Sequence, residues 1–197
     1  MSQTTILIVP GLRDHVALHW QTLLDAKLRA AGTPVANVAA MGRDDLECAA
    51  RVAAIERAAA AIKGAIVIVA HSAGCVMLAH WAMRSQHTVR RVRGALLAAP
   101  PDFEQPMPEG YPTLEQLRAG DWLPVPRSAL PFASIVGASR NDPLARFERV
   151  AELAARWGSR LVDLGEVGHL NPASGYGEWP RAEQFIAELS GPAEAVA

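Results

Sequence analysis

Six short runs of Val, Ile and Leu, each separated from the next by a longer stretch, constrain this chain more than any other feature. The runs are Thr5 to Val9, Pro34 to Ala39, Ala65 to Ala70, Gly94 to Ala98, Pro131 to Gly137 and Arg160 to Leu164. Helical spacing fills Ala17 to Ala31, Asp44 to Ile62, Ala73 to Arg84, Leu144 to Trp157 and Trp179 to Leu189. Strands that read as continuous apolar runs are buried on both faces, which requires a parallel sheet covered by helices on both sides. In Asp44 to Ile62 the stripe Leu46, Ala49, Ala50, Ala53, Ala54 and Ala58 is expected to pack on the sheet. Arg51, Glu56 and Arg57 are then expected to face elsewhere.

One stretch breaks the alternation. Pro100 to Pro131 is rich in proline and poor in periodic residues, apart from a short helix predicted over Thr113 to Arg118. Loops of this length within a domain usually serve function, so this one is expected to roof a pocket. The 197 residues, half of them apolar, fit a single domain over 1–190, with a flexible tail over 191–197.

The formal net charge is −1, with 19 basic and 20 acidic residues spread along the chain, so no electrostatic footprint for nucleic acid or an anionic membrane is present. Met1 to Gly11 lacks a basic leader region and runs directly into a strand, and no apolar stretch approaches the roughly 18 residues of a membrane span. Cys48 and Cys75 lie in alanine-rich helical segments. No disulfide is expected, and a cytoplasmic location follows as the expectation. No ligand spacing for zinc is present, and no metal or organic cofactor is expected.

The sharpest chemical signal is AIVIVAHSAGCVMLAHWAM, where a buried strand runs through His71 into Ser72 and at once into a helix. A serine on such a junction is exposed by a sharp turn, and the turn needs small residues two places before and after it. Ala70 and Gly74 satisfy that need. The plainer interpretation is that Ser72 only caps the helix.

A serine hydroxyl becomes a nucleophile only beside an imidazole that takes its proton and a carboxylate that orients the imidazole. Asp142, in Ser139-Arg140-Asn141-Asp142-Pro143, follows the fifth run, and His169, in Gly168-His169-Leu170-Asn171, follows the sixth. Ser72, Asp142 and His169 therefore leave the same edge of the sheet, where sites in open parallel sheets form. Asp102 and Glu166 are the rival carboxylates. An oxyanion needs two backbone donors. The amide of Ala73 is one candidate, and that of Leu12 or Arg13, beyond the turn at Gly11, is the other. Gly11, His71 and Asn171 are expected to line the substrate. His15, His19 and His80 are read as structural, like His71 non-catalytic, and Trp20, Trp122 and Trp179 as core or pocket wall.

Val9-Pro10-Gly11 with His19-Trp20, Ala70-His71-Ser72-Ala73-Gly74-Cys75 with His80-Trp81, Ala99-Pro100-Pro101-Asp102, the Asp142 segment, and Gly168-His169-Leu170-Asn171 with Ser174-Gly175 and Trp179-Pro180 together resemble the serine hydrolase family of retinoblastoma-binding protein 9. The resemblance spans nearly the whole chain. It implies an α/β-hydrolase fold with a six-stranded parallel sheet in the order 2-1-3-4-5-6, no large cap domain, and a Ser72, Asp142, His169 triad. A small carboxylic ester is the expected substrate. An amidase or aminopeptidase acting on small substrates, and a protein-binding module on a hydrolase scaffold, are the alternatives.

Overall fold

Along Ile66–His71 every side chain is buried, and successive residues enter different cores. Ile66 and Ile68 point into one apolar cluster, Val67 and Val69 into another on the opposite face. Alternate residues of a strand face opposite ways, so a strand apolar at every position must lie between two layers. The computed structural model describes residues 4–13 and 15–191 and contains that arrangement. The tail expected over 191–197 lies, except for Gly191, outside the described residues.

In chain order the elements are β1 (Thr5–Val9), α1 (Trp20–Ala30), β2 (Val35–Asn37), α2 (Cys48–Ala61), β3 (Ile66–His71), α3 (Ala73–Arg84), β4 (Val92–Ala98), α4 (Leu114–Ala119), β5 (Ala133–Ala138), α5 (Phe147–Trp157), β6 (Arg160–Asp163) and α6 (Arg181–Ser190), with 3-10 turns at Thr88–Arg91 and Pro172–Ser174. The sheet is parallel throughout, in the order β2-β1-β3-β4-β5-β6. This is the expected α/β-hydrolase sheet. Helices α2, α3 and α5 cover one face and α1 and α6 the other. The proline-rich excursion contains only the six-residue α4, which starts with a capping box between Thr113 and Gln116, and forms no large cap domain among the described residues. No helix among the described residues is long and apolar enough to cross a membrane.

Three helices begin three or more residues later than their periodicity suggests. Helix α1 starts at Trp20 rather than Ala17, because His19 is extended and its ring accepts from the Gln21 amide. Helix α5 starts at Phe147 rather than Leu144, whose amide is held by Asp142. Helix α2 starts at Cys48 rather than Asp44, and its face also differs from expectation. Its buried residues are Cys48, Arg51, Val52, Ala54, Ile55 and Ala59, while Ala49 is exposed and Leu46, Ala50, Ala53 and Ala58 are half-buried. Alanine fits either face, so the bulkier Val52 and Ile55 set the orientation. Arg51 is buried because its guanidinium donates to the carbonyls of Gly42 (2.7 Å) and Asp45 (2.9 Å), which hold the preceding loop. Cys48 and Cys75 are buried free thiols. Trp20, Trp122 and Trp179 are all core residues.

Candidate active site

Between β3 and α3 the chain turns at a single residue. Ser72 has φ 55° and ψ −130°, a conformation that side chains other than glycine rarely adopt. Such strain persists only where the surroundings enforce it. Here the Ser72 amide donates to Ala98 O at 2.9 Å, and its carbonyl accepts from Cys75 N at 2.9 Å. Gly74 is forced by contact, since a Cβ there would stand 2.7 Å from the carbonyl oxygens of both Val9 and Pro10. Ser72 occupies the N-cap position of α3, yet its side chain makes no capping bond, so the helix-cap interpretation fails. Its Oγ turns instead to His169 Nε2, 2.8 Å away.

His169 lies past the end of β6 and is buried. Its Nδ1 donates to Asp142, 2.8 Å to Oδ2 and 3.0 Å to Oδ1. That bond places the proton on Nδ1, so Nε2 has its lone pair free for the serine hydroxyl. Asp142 is fixed in turn by the Leu144 amide, 2.8 Å from Oδ1. Hydroxyl, imidazole and carboxyl thus form one line of hydrogen bonds.

The loops carrying Asp142 and His169 are fastened to each other by residues that sequence reasoning missed. Asn141 Oδ1 accepts from Gly168 N (2.6 Å) and from Ser139 Oγ (2.9 Å), Ser139 Oγ accepts from Val167 N (3.3 Å), and Arg140 N donates to Gly165 O (2.8 Å). On the far side Ser174 Oγ accepts from the His169 amide at 3.0 Å and donates to Asn171 Oδ1 at 2.9 Å. Asn171 lines the cavity, and its side-chain oxygen caps the 3-10 turn by accepting from the Ser174 amide. The only hints in the sequence are the short polar residues around Asp142 and the Asn171-x-x-Ser174 cap spacing.

Neither rival carboxylate is hydrogen-bonded to His169. Asp102 accepts from Arg149 Nε at 3.0 Å and from the Glu104 amide at 3.2 Å. Glu166 is exposed. His71, expected beside the substrate, is on the cavity wall, but its Nε2 donates to the His169 carbonyl at 2.9 Å and so supports the loop from behind. His80 donates to Trp122 O at 3.1 Å, away from the cavity.

Above Ser72 opens a cavity of about 810 Å³. Gly11 passes so close that a Cβ on it would lie 3.1 Å from Ser72 Cβ, which brings the loop after β1 against the serine. Leu12, Arg13 and Ala73 line the cavity, and their amides meet no acceptor among the described residues. Donors left open beside a hydroxyl can serve a developing oxyanion. The excursion between β4 and β5 supplies Pro101, Phe103, Met107 and Tyr111 to the opposite wall. It is tied down by Arg43, which donates to Gly110 O at 3.2 Å, and by Arg13, whose guanidinium lies 5.4 Å from the centre of the Tyr111 ring. Among the described residues no group of three or more His, Cys, Asp or Glu side chains is placed to hold a metal ion.

Burial dominates the electrostatics around His169. It pushes His19 down to about 4, with smaller contributions from His169 and His15. Burial, followed by His169 and His19, also holds His71 well below the usual histidine range. Both rings are therefore neutral near pH 7, and in the unfolded chain both titrate near roughly 6.5. Between that value and the folded one the unfolded chain binds more protons, so folding free energy is lost as pH falls. Stability is expected to be full above about pH 6.5 and to decline toward about 4, the window set by His19. Urea midpoints measured across that interval test this, and a flat series would contradict it.

Among known proteins, the family described as serine hydrolase matches residues 6–188. The solved structure of a YdeN-like hydrolase from Pectobacterium atrosepticum is 29% identical, with 95% of this chain and 91% of that one covered and a TM-score of 0.75. The ydeN gene product of B. subtilis is 18% identical over 95% and 98% of the two chains, with a TM-score of 0.72. Est1E from Butyrivibrio proteoclasticus, solved with ferulic acid bound, is 12% identical over 94% and 88%, with a TM-score of 0.67. These last two likenesses concern the fold alone. No curated protein matches the chain. With a family match over nearly its whole length, and a relative of the same fold at 29% identity, the chain belongs to the serine hydrolase family of the α/β-hydrolase superfamily, alongside the YdeN-like hydrolases.

Proposed function

We propose that the protein hydrolyses small carboxylic esters through an acyl-enzyme on Ser72, with His169 as general base and Asp142 as the carboxylate that orients it. The observation that carries this reading is the unbroken line from Ser72 Oγ through His169 to Asp142, with 2.8 Å at each junction. His169 Nε2 takes the hydroxyl proton as Ser72 Oγ bonds to the ester carbonyl carbon, and the negative charge gathers on the carbonyl oxygen. The amide of Ala73 and that of Leu12 or Arg13 receive that charge. Ala73 opens α3, whose dipole favours an anion at that end. As the tetrahedral species collapses, His169 hands its proton to the departing alcohol. Water then gives a proton to the same nitrogen as its oxygen bonds to the acyl carbon, and His169 returns that proton to Ser72 Oγ as the bond to the serine breaks and the acid is released.

The cavity supports a small substrate. Its volume of about 810 Å³ lies within the range of small-molecule sites, and its walls at Phe103, Met107 and Leu144 are apolar, suited to an acyl chain. Esters are favoured over amides because their leaving groups need less help from the acid. Side-by-side assays of 4-nitrophenyl butyrate and butyryl-4-nitroanilide are expected to show turnover of the ester far exceeding that of the anilide. Equal or reversed rates would make this an amidase instead.

A further inference from the structure

His19 performs two tasks with one ring. Its backbone, at φ −72° and ψ 141°, starts α1, and its Nδ1 accepts from the Gln21 amide at 3.2 Å. A ring nitrogen that accepts a hydrogen bond carries no proton, so in the neutral ring the proton sits on Nε2. That N–H has no acceptor among the described residues. His19 is 8% exposed and contributes to the wall of the Ser72 cavity. The indole N–H of Trp20, by contrast, is buried with no partner among the described residues, and Trp20 does not line the cavity. The result is a fixed donor on the wall of the cavity that holds Ser72, with no partner among the described residues.

Its side of the cavity can also be assigned. The His19 ring centre lies 4.6 Å from that of His71, which lies 5.0 Å from that of His169. His19 therefore stands on the side of the residue that protonates the departing group. The lowering of its pKa to about 4, chiefly by burial, keeps the ring an uncharged donor at working pH. An uncharged donor suits an ether, hydroxyl or carbonyl oxygen.

We infer that His19 Nε2 donates a hydrogen bond to an oxygen in the departing half of the substrate, so that the enzyme selects esters of oxygenated alcohols over esters of plain alkyl alcohols. This rests on the Ser72–His169 reading above.

The test uses two pairs of butyrate esters that differ by one oxygen in the alcohol: 2-methoxyethyl against n-butyl, and 3-methoxypropyl against n-pentyl. kcat/KM is measured for each and corrected for its hydroxide-catalysed rate. In at least one pair the wild type is expected to favour the ether oxygen by roughly fivefold, the effect of one neutral hydrogen bond. His19→Asn keeps a favoured cap but draws the donor back, and is expected to bring that ratio toward one. His19→Gln, whose amide N–H reaches about as far as Nε2, is expected to restore part of it. The ratio cancels any loss common to both esters, including a loss of folded protein, and His19→Ser provides a second cap-preserving variant. Wild-type ratios of one in both pairs, or a ratio that survives His19→Asn and His19→Ser, overturn the inference. If all four esters turn over and Ser72 still takes a phosphonate label, such a result leaves the triad reading standing. No turnover of any ester together with no label removes both.

Discussion

Ser72→Ala is expected to lower kcat/KM for 4-nitrophenyl butyrate by about 10⁴-fold or more, with the far-UV spectrum and the thermal midpoint close to wild type. The loss is large because the hydroxyl is the only atom removed and the acyl-enzyme route has no substitute for it. Some acceleration over water is expected to remain, since Ala73 and Leu12 or Arg13, whose amides are proposed to receive the oxyanion, still line the cavity. The fold should survive because, among the described residues, Ser72 Oγ bonds only His169, whereas the turn itself is held by the Ser72 amide on Ala98 O and the Cys75 amide on Ser72 O. A folded Ser72→Ala protein retaining more than a tenth of the wild-type rate would remove this serine from the mechanism.

Asp142→Asn is expected to lower kcat by about 10⁴-fold, whereas Asp102→Asn leaves it close to wild type. Both oxygens of Asp142 accept from His169 Nδ1, at 2.8 and 3.0 Å, and this fixes the tautomer whose Nε2 can accept a proton. An amide in that place can donate as well as accept, which favours the opposite tautomer and aims a ring N–H at the serine. Asp142 and His169 are both nearly enclosed, their side chains 2% and 5% exposed, so the imidazolium formed during reaction would also lack a counter-charge. Asp102 serves a different network, with Arg149 and the Glu104 amide, and its loss should show in the thermal midpoint rather than in turnover. Equal kinetic losses in the two variants would contradict the assignment of Asp142.

Much of the architecture is legible in the sequence. Runs such as Ile66 to Ala70 are apolar at every position, so they had to lie between two layers, and right-handed crossovers then leave few strand orders to choose among. The junction at Ser72 was legible because a buried strand, a serine and a helix follow one another without a spacer. Helix α2 was misread because its many alanines dilute the periodicity, leaving Val52 and Ile55 to set a face that the alanines did not mark. The late start of α1 was hidden because His19 rarely stands where serine, threonine or aspartate would cap a helix. The bonds of Asn141 and Ser174 were invisible for a different reason. They join loops more than twenty residues apart, or form a turn recognisable only once His169 is in place. Periodicity reports burial, and none of these bonds leaves a periodic trace.

Covalent labelling tests most directly whether His169 makes the Ser72 hydroxyl a nucleophile. The folded protein is incubated with a fluorophosphonate, digested, and the modified peptide identified by mass spectrometry. A single adduct on Ser72, lost in Ser72→Ala and slowed by orders of magnitude in His169→Ala, is the result predicted here. Folded protein that takes no label, or takes it on another residue, would contradict it.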